Sequence, residues 1–506
     1  MKRLIITITT CFVVLISNSQ EYFQQKVDTY IDVELDDENH ILRGFEKMVY
    51  YNNSSLNLDK IIIHLWPNAY KNSNTNLAKQ KYSDGSTSFK YADSIDLGYI
   101  DSLDFKVNGE IVKWQFLNEQ IDISELLLTK PLKPGDSIII TTPFRVKIPS
   151  GKFSRLGHIG QSYQITQWFA KPAVFDKNGW HPMSYLDQGE FFSEFGNYDV
   201  SITVPKNYVL MATGDLQNKE ELEFLNEKAE LTSQLIKENK LPVRDSLGRK
   251  DMSFPKSSLE KKTLRFVQNN VHDFAWFTDK RYHVLKGEVD VNNRKITSWA
   301  LFTNNEAKLW RRSIEYINDA TRYFSKWVGE YPYNHVTAVD GTISAGGGME
   351  YPNITVIGSS GDSKSLETVI VHEVGHNWYY GILGSNERDN AWMDEGLNTF
   401  LQYLTEQEFE KGYPSRRGPA YKIVNYMKGD KDRISPIMTN SESIHQGLIH
   451  NSCRCILITN VCSRDKGNTI SHLNSSLIIL FIQPQVSLTI VQYGHQDVPS
   501  IGMGSC

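Results

Sequence analysis

Between Gln20 and Ser452 the chain contains no cysteine. No disulfide can hold that body together, so its stability has to come from a packed core. The five cysteines are Cys11, near the start, and Cys453, Cys455, Cys462 and Cys506, all in the last 54 residues. Positive charge is not in excess either: 54 Lys and Arg stand against 59 Asp and Glu, for a net charge of −5. A polyanion would find no basic field, and nucleic acid is excluded as an expected partner. Long apolar runs are missing beyond the first residues. No later segment reaches the roughly 18 to 20 apolar residues that a membrane-spanning helix needs, so none is expected in the mature chain.

What is present reads as a folded, exported protein. At 506 residues, with 40% hydrophobic and 11% aromatic residues, the chain is long enough for more than one domain and rich enough to fill large cores. Lys2 and Arg3 precede the apolar run Leu4 to Ile16, and Ser17, Asn18 and Ser19 offer a small-residue cleavage site. This is the three-part pattern of a secretory signal over residues 1–19, with the mature chain starting near Gln20 and exported to the periplasm or beyond. The apolar run continues through Cys11, which argues against a lipoprotein.

Residues 20–303 are dominated by short alternating or β-branched runs such as "KMVYYN", "KIIIHLW", "DSIIITTPFRVKI" and "YDVSITVP", the pattern of an antiparallel β-rich domain. Within it, 217–262 changes character to a charged, helix-prone stretch followed by a polar loop, and reads as a surface insertion. From 304 onward Trp310, Ile314, Ile317, Ala320, Phe324 and Trp327 recur at spacings of three and four, predicting a helix that ends near Gly329 and opens a second domain over 304–446.

That second region carries the chemistry. His372 and His376 lie four apart in "VHEVGH", so on a helix two imidazoles project from one face, one turn apart, with Glu373 beside them. The run from Ser365 to Leu383 has no proline, and Val369, Ile370, Val374, Trp378 and Ile382 are available to bury its other surface. Glu395 follows His376 after eighteen residues, where a second helix could return a carboxylate. Two imidazoles and one carboxylate leave a fourth position open, the layout of a catalytic zinc site. Asp394 is read either as a group orienting one ligand or as an exposed helix-start aspartate. Upstream, "SAGGGMEYPNIT" places Gly346, Gly347 and Gly348 before Met349 and Glu350. Alone it reads as a glycine turn at a strand edge; beside a zinc helix, Glu350 becomes a carboxylate able to pair with a substrate's α-ammonium.

HExxH, a glutamate at this interval and "GGGMEY" together resemble the aminopeptidase N family of gluzincin zinc metallopeptidases. "HLWPNAY", "EFGNYDVSITVP", "VHDFAW" and "GEYPYN" are also similar to stretches of its bacterial members, so the likeness spans roughly residues 27–446. The resemblance implies an α+β chain: an N-terminal antiparallel β-rich saddle domain, then a mainly helical, thermolysin-like catalytic domain. It implies one zinc per chain held by His372, His376 and Glu395, with Glu373 as general base. Peptides with a free N-terminal amine would be the substrates, anchored by Glu350 with Gly347, Gly348 and Met349. Tyr351 stands where the motif usually has Asn, and Gln167 in "TQWFAKP" is the candidate for a second amine contact from the β domain.

The likeness stops near Gln446. The family's oxyanion tyrosine is expected at 455–460, which reads "CILITN". Residues 447–506 hold only Phe481 and Tyr493 as aromatics and only Asp465 and Asp497 as acids. This atypical tail reads as a frameshifted or disordered end that truncates the catalytic domain; a divergent genuine tail and a metal site of Cys453, Cys455, Cys462 and His472 are the alternatives. With the tyrosine absent, a non-catalytic, peptide-binding scaffold is the rival to a working aminopeptidase, and an endopeptidase is a third reading that Glu350 disfavours.

Overall fold

In the computed structural model the described residues are 22–341, 347–410, 412–418, 428 and 438–443, with two further strands, Ile479–Ile482 and Leu488–Val491, described by their backbone. The leader at 1–19, Gly346, the window 455–460 and the tail cysteines lie outside them.

Each run read as strand from its alternation is a strand. In Ser137–Lys147 the side chains of Ile138, Ile140, Phe144 and Val146 are buried while Ile139 is exposed, the period-two pattern of a sheet with one face on the core. The largest sheet has nine strands. Its order runs Asp215–Leu216, Lys261–Val271, Gly196–Pro205, Lys26–Asp36, Ile41–Tyr51, Ser137–Lys147, Lys106–Val107 and Glu110–Ile111, with Tyr99–Asp101 added on Ser137–Lys147. The expected antiparallel sheet needs one correction. Lys26–Asp36 and Gly196–Pro205 pair in parallel at its centre, Thr29 opposite Tyr198 through Glu34 opposite Thr203. A parallel pair needs a long crossover, and the intervening strands provide it. Trp66, Trp168 and Trp276 are fully buried in the core, with Trp168 edge-on to Trp276 at 6.2 Å.

A second, five-stranded sheet positions the site. Its order is His283–Val291, Arg294–Phe302, His335–Asp340, Ile354–Ile357 and Gly348–Tyr351. The middle pairings are parallel and the outer two antiparallel. The division expected at 303/304 therefore falls inside a sheet: Arg294–Phe302 pairs with His335–Asp340 through Thr297 opposite His335. Strand patterns reveal local alternation but not which distant strand is the partner, so alternation alone does not show a sheet that crosses this boundary. The stretch 217–262 is likewise not a mere surface insertion. Its helix Lys219–Lys237 buries Leu225, Ala229 and Thr232, and the Thr232 hydroxyl accepts from the Val284 amide at 3.2 Å.

The predicted stripe forms the helix Ser313–Trp327, preceded by a turn at Trp310–Arg312 and followed by Gly329 with φ of 143°. Trp310, Ile317, Ala320 and Phe324 are fully buried. The helices Ser363–Gly375 and Leu397–Phe409 pack against it. Among the described residues no helix is long and apolar enough to cross a membrane.

Candidate active site

Helix Ser363–Gly375 starts with the Asp362 side chain accepting from the Ser365 amide at 2.8 Å, satisfying one of the free N–H groups of the first turn. It ends sooner than the proline-free run predicts. His376 is the residue at which the helix stops, and Tyr380 then adopts a φ of 71°. Ile382, expected to be buried by a continuing helix, is 48% exposed because the chain has left the helical path. Gly375 is required here: a Cβ would stand 2.1 Å from Asn398 Oδ1 and 2.4 Å from the Phe324 ring.

Glu395 comes not from an ordinary helix but from a π-helical turn, Trp392–Gly396, between Glu387–Ala391 and Leu397–Phe409. Such turns add a residue per coil and re-aim side chains. Here consecutive acids reach different imidazoles: Asp394 Oδ1 lies 2.6 Å from His376 Nδ1, and Glu395 Oε2 lies 3.1 Å from His372 Nε2. Asp394 is fully buried, which decides between its two readings in favour of orienting His376.

The outer nitrogens of both rings are occupied. Gln402 donates its amide to Thr368 O and Glu406 Oε1, both at 2.8 Å, which leaves its oxygen to accept from His372 Nδ1 at 3.0 Å. With Nδ1 protonated on each ring, the two Nε2 atoms turn bare lone pairs on one another at 3.3 Å, beside the Glu395 carboxylate. In the metal-free chain a second proton on His376 can bridge the two nitrogens; a metal cation between them would take its place. Two nitrogens bound tetrahedrally at zinc distances of about 2.0 to 2.1 Å are separated by about 3.3 Å, so the donor set fits zinc.

The charges agree. Burial pushes His372 down to about 4, helped by the Arg417 charge against the pull of Glu395. Burial opposes ionisation of Glu395, yet His372, His376 and Arg417 outweigh it and hold the carboxyl down at about 2. Burial also works against charge on His376, and Asp394 and Glu350 overcome it, raising the imidazole well above its usual value. Burial, with Glu395 and Asp394 adding to it, pushes the Glu373 carboxyl up to about 8. His376 and Glu395 are thus held as an opposite-charge pair, while burial keeps His372 and Glu373 neutral.

Strand Gly348–Tyr351 runs alongside. Gly348 lies so close to the Glu373 carboxylate that a Cβ would stand 2.5 Å from Oε1, which explains a glycine at this strand position. The strand alternates. Glu350 faces the histidines, with Oε1 3.9 Å from His376 Nδ1, whereas Met349 accepts from Arg155 Nε through its sulfur at 3.2 Å and the Tyr351 hydroxyl donates to Gln167 Oε1 at 3.1 Å. Gln167 also donates to Asp273 Oδ2 at 3.4 Å, so both ends of its amide are engaged within the protein. Gly347 is exposed, with open space where a side chain would be.

Oxygens and nitrogens of His372, His376 and Glu395 lie within 4.8 Å of one another, as do those of Glu350, Glu373 and His376, and those of Glu190, Glu350 and Glu387. Sequence reasoning missed Gln402, Glu190, Glu387 and Arg417. Gln402 lies seven residues after Glu395, two helical turns on, a spacing that could have flagged it. Glu190 and Glu387 belong to no motif; only the fold brings them in.

No family model matches the sequence. Solved structures do resemble the fold. The M1 zinc metallopeptidase from Deinococcus radiodurans is 14% identical over 85% of this chain and 80% of its own, with a TM-score of 0.52. A mutant of that enzyme matches over 88% and 84% at 13% identity and a TM-score of 0.55, and the mutant bound to a Tyr-Ser-Ala substrate matches at 0.51. The chain thus has the α+β fold of the M1 zinc metallopeptidases. At this identity the likeness speaks for the fold, and the narrower resemblance to aminopeptidase N stays with the motifs.

Proposed function

We propose that the chain is an exported, zinc-dependent aminopeptidase that removes N-terminal residues from peptides. The observation that carries the reading is the convergence of His372 and His376 Nε2, 3.3 Å apart, with Glu395 Oε2 3.1 Å from the first, each Nδ1 being held from behind. His372, His376 and Glu395 would hold the metal. Bound there, zinc supplies Lewis acidity, bringing the pKa of water from 15.7 towards about 7 and polarising the scissile carbonyl. Glu373 takes the proton from the attacking water on its carboxylate and returns it to the leaving amine nitrogen. Glu350 pairs with the substrate's α-ammonium, which fixes the scissile bond one residue from the amino terminus. Gly347 leaves open space for the substrate backbone, Gly348 makes room for the Glu373 carboxylate, and Met349, turned to the opposite face, is held by Arg155.

The leader pattern at 1–19 supports export, and the sheet shared across 303/304 supports drawing the peptidase region from His283 onward. The test is zinc content and hydrolysis of a panel of aminoacyl anilides by the chain from Gln20 to Cys506 and its Glu373→Gln variant. Expected are about one zinc in each and a turnover at least about 10³-fold lower in the variant. Zinc binding with no turnover in either would overturn the enzyme in favour of a peptide-binding scaffold.

A further inference from the structure

A cavity of about 610 Å³ lies where residues 22–24 and 174–194 of the β-rich part meet 383–393. None of the residues in its wall belongs to the three groups of ligating atoms around the histidines. Its size is inside the range of roughly 300 to 1,000 Å³ that suits small ligands. Phe23, Phe175 and Phe192 contribute rings, with the exposed Tyr22 at the mouth, and Leu383 and Met393 add apolar surface. Into this wall Glu194 brings a carboxyl that is only 4% exposed. One of its oxygens is settled: Oε1 accepts from the Phe175 amide at 3.0 Å. Oε2 meets no hydrogen-bond donor among the described residues. The Tyr50 hydroxyl, near enough to feel the Glu194 charge, is buried without a partner as well. The remaining charges of the wall are already used. His181 Nε2 stands 2.9 Å from Asp176 Oδ1, Asp389 accepts from Asn386 and Asn440, and Lys177 is engaged too.

A buried acid with one bare oxygen, beside a ring-lined space, fits a cation on an apolar stem. Ring faces attract an ammonium, the carboxylate accepts a charge-assisted hydrogen bond from it, and the stem covers the apolar wall. A metal ion fits less well, because no group of three His, Cys, Asp or Glu ligands among the described residues includes Glu194. A guanidinium fits less well too, since its fork asks for two carboxylate oxygens and Oε1 is taken. We propose that the cavity is a binding site for a lysine side chain of a peptide, with Glu194 as the counter-ion of its ammonium. The site stands apart from the zinc reading and does not depend on it.

The test is calorimetric titration of the full mature chain with Nα-acetyl-lysinamide and with Nα-acetyl-norleucinamide, which keeps the stem and lacks the ammonium. Neither has a free α-amine for Glu350. The lysine ligand should bind at least about 10-fold more tightly, and Glu194→Gln, with a melting curve like the parent's, should remove that preference. The preference should be the same with and without zinc. Equal affinity for the two ligands, no binding of either at millimolar concentration, or binding that requires zinc overturns the proposal. A second readout needs no variant. The free carboxyl, pushed up by burial and by Asp176 to about 8, is protonated at pH 7, and an ammonium takes the place of that proton. Of the other titratable groups that face it, Tyr22 and Tyr50 are raised by burial and by Glu194 and keep their protons, while Asp176 is lowered, against its burial, by the His181 hydrogen bond. Titrations at pH 7 in two buffers of different ionisation enthalpy should therefore show close to one proton released per ligand bound; binding without release would remove Glu194 as the counter-ion.

Discussion

Two buried acidic centres of the molecule are built in opposite ways. In the β-rich part, Asp37 is surrounded by donors: Tyr208 Oη at 2.7 Å, Gln161 Nε2 at 3.0 Å and Ser257 Oγ all reach Oδ2, Tyr163 Oη donates to the Asp37 carbonyl at 3.1 Å, and Lys280 Nζ stands 4.0 Å away. Around the histidines, Glu190, Glu350, Glu373, Glu387, Asp394 and Glu395 gather instead; Glu387 and Asp394 share a hydrogen bond with each other, and Oε2 of Glu190 and of Glu373 meets no hydrogen-bond donor among the described residues. Buried polar groups are almost always satisfied, so a local surplus of acceptors marks a place completed from outside the chain. The first centre is closed within the protein; the second is the one we propose is completed by a metal and a substrate.

The sharpest way to break that comparison is the same acid-to-amide change in each. Asp37→Asn should cost about 3 kcal/mol, because it strips the counter-charge from Lys280 and leaves three donors competing for a weaker acceptor. Glu387→Gln should leave stability nearly unchanged in metal-free protein, since burial and the acids around it already keep Glu387 protonated and an amide can still donate to Asp394. Urea midpoints of the two variants against the parent check both signs. Equal destabilisation would mean that the acidic cluster is structural after all.

Geometry at the site can be probed without touching a charge. Gly348→Ala should push its methyl into the Glu373 carboxylate and lower kcat about 100-fold, with zinc content unchanged, because a displacement of about 1 Å at a reacting group costs that much. An unaltered kcat would show that Glu373 has room to move and is not held by the strand.

How much of this was legible before the fold was known depended on distance along the chain. HExxH and Glu395 could be read because two ligands on one helix obey a fixed spacing, and the third follows within a short return. The stripe from Trp310 to Trp327 was legible for the same reason, a period of 3.6 imposed by local geometry. The early stop at His376 was not, since Gly375 and the turn at Tyr380 answer to packing against Phe324 and Asn398. Neither was the sheet that joins Arg294–Phe302 to His335–Asp340, because parallel partners are set by tertiary contacts. Glu190 reads as one acid among many in "DQGEFFSEFG"; only burial beside Glu350 gives it meaning.

A third buried acid sharpens the contrast through its pH dependence. Glu194 accepts from the Phe175 amide at 3.0 Å and forms no ion pair among the described residues; burial, with Asp176 adding, pushes its carboxyl up to about 8. In the free chain it is settled by a proton rather than by donors. The sign follows from linkage: the folded chain keeps this proton while the unfolded chain releases it near pH 4.3, so the contribution is full below about pH 4.3 and is lost as pH rises towards 8. Stability should fall by about 1.4 kcal/mol per pH unit across that window on account of this group, and Glu194→Gln should remove the slope. Urea midpoints at pH 5 and pH 7.5 measure it. A variant whose midpoints shift between those pH values as the parent's do would mean that Glu194 is ionised in the fold, and that a cation outside the described residues holds it.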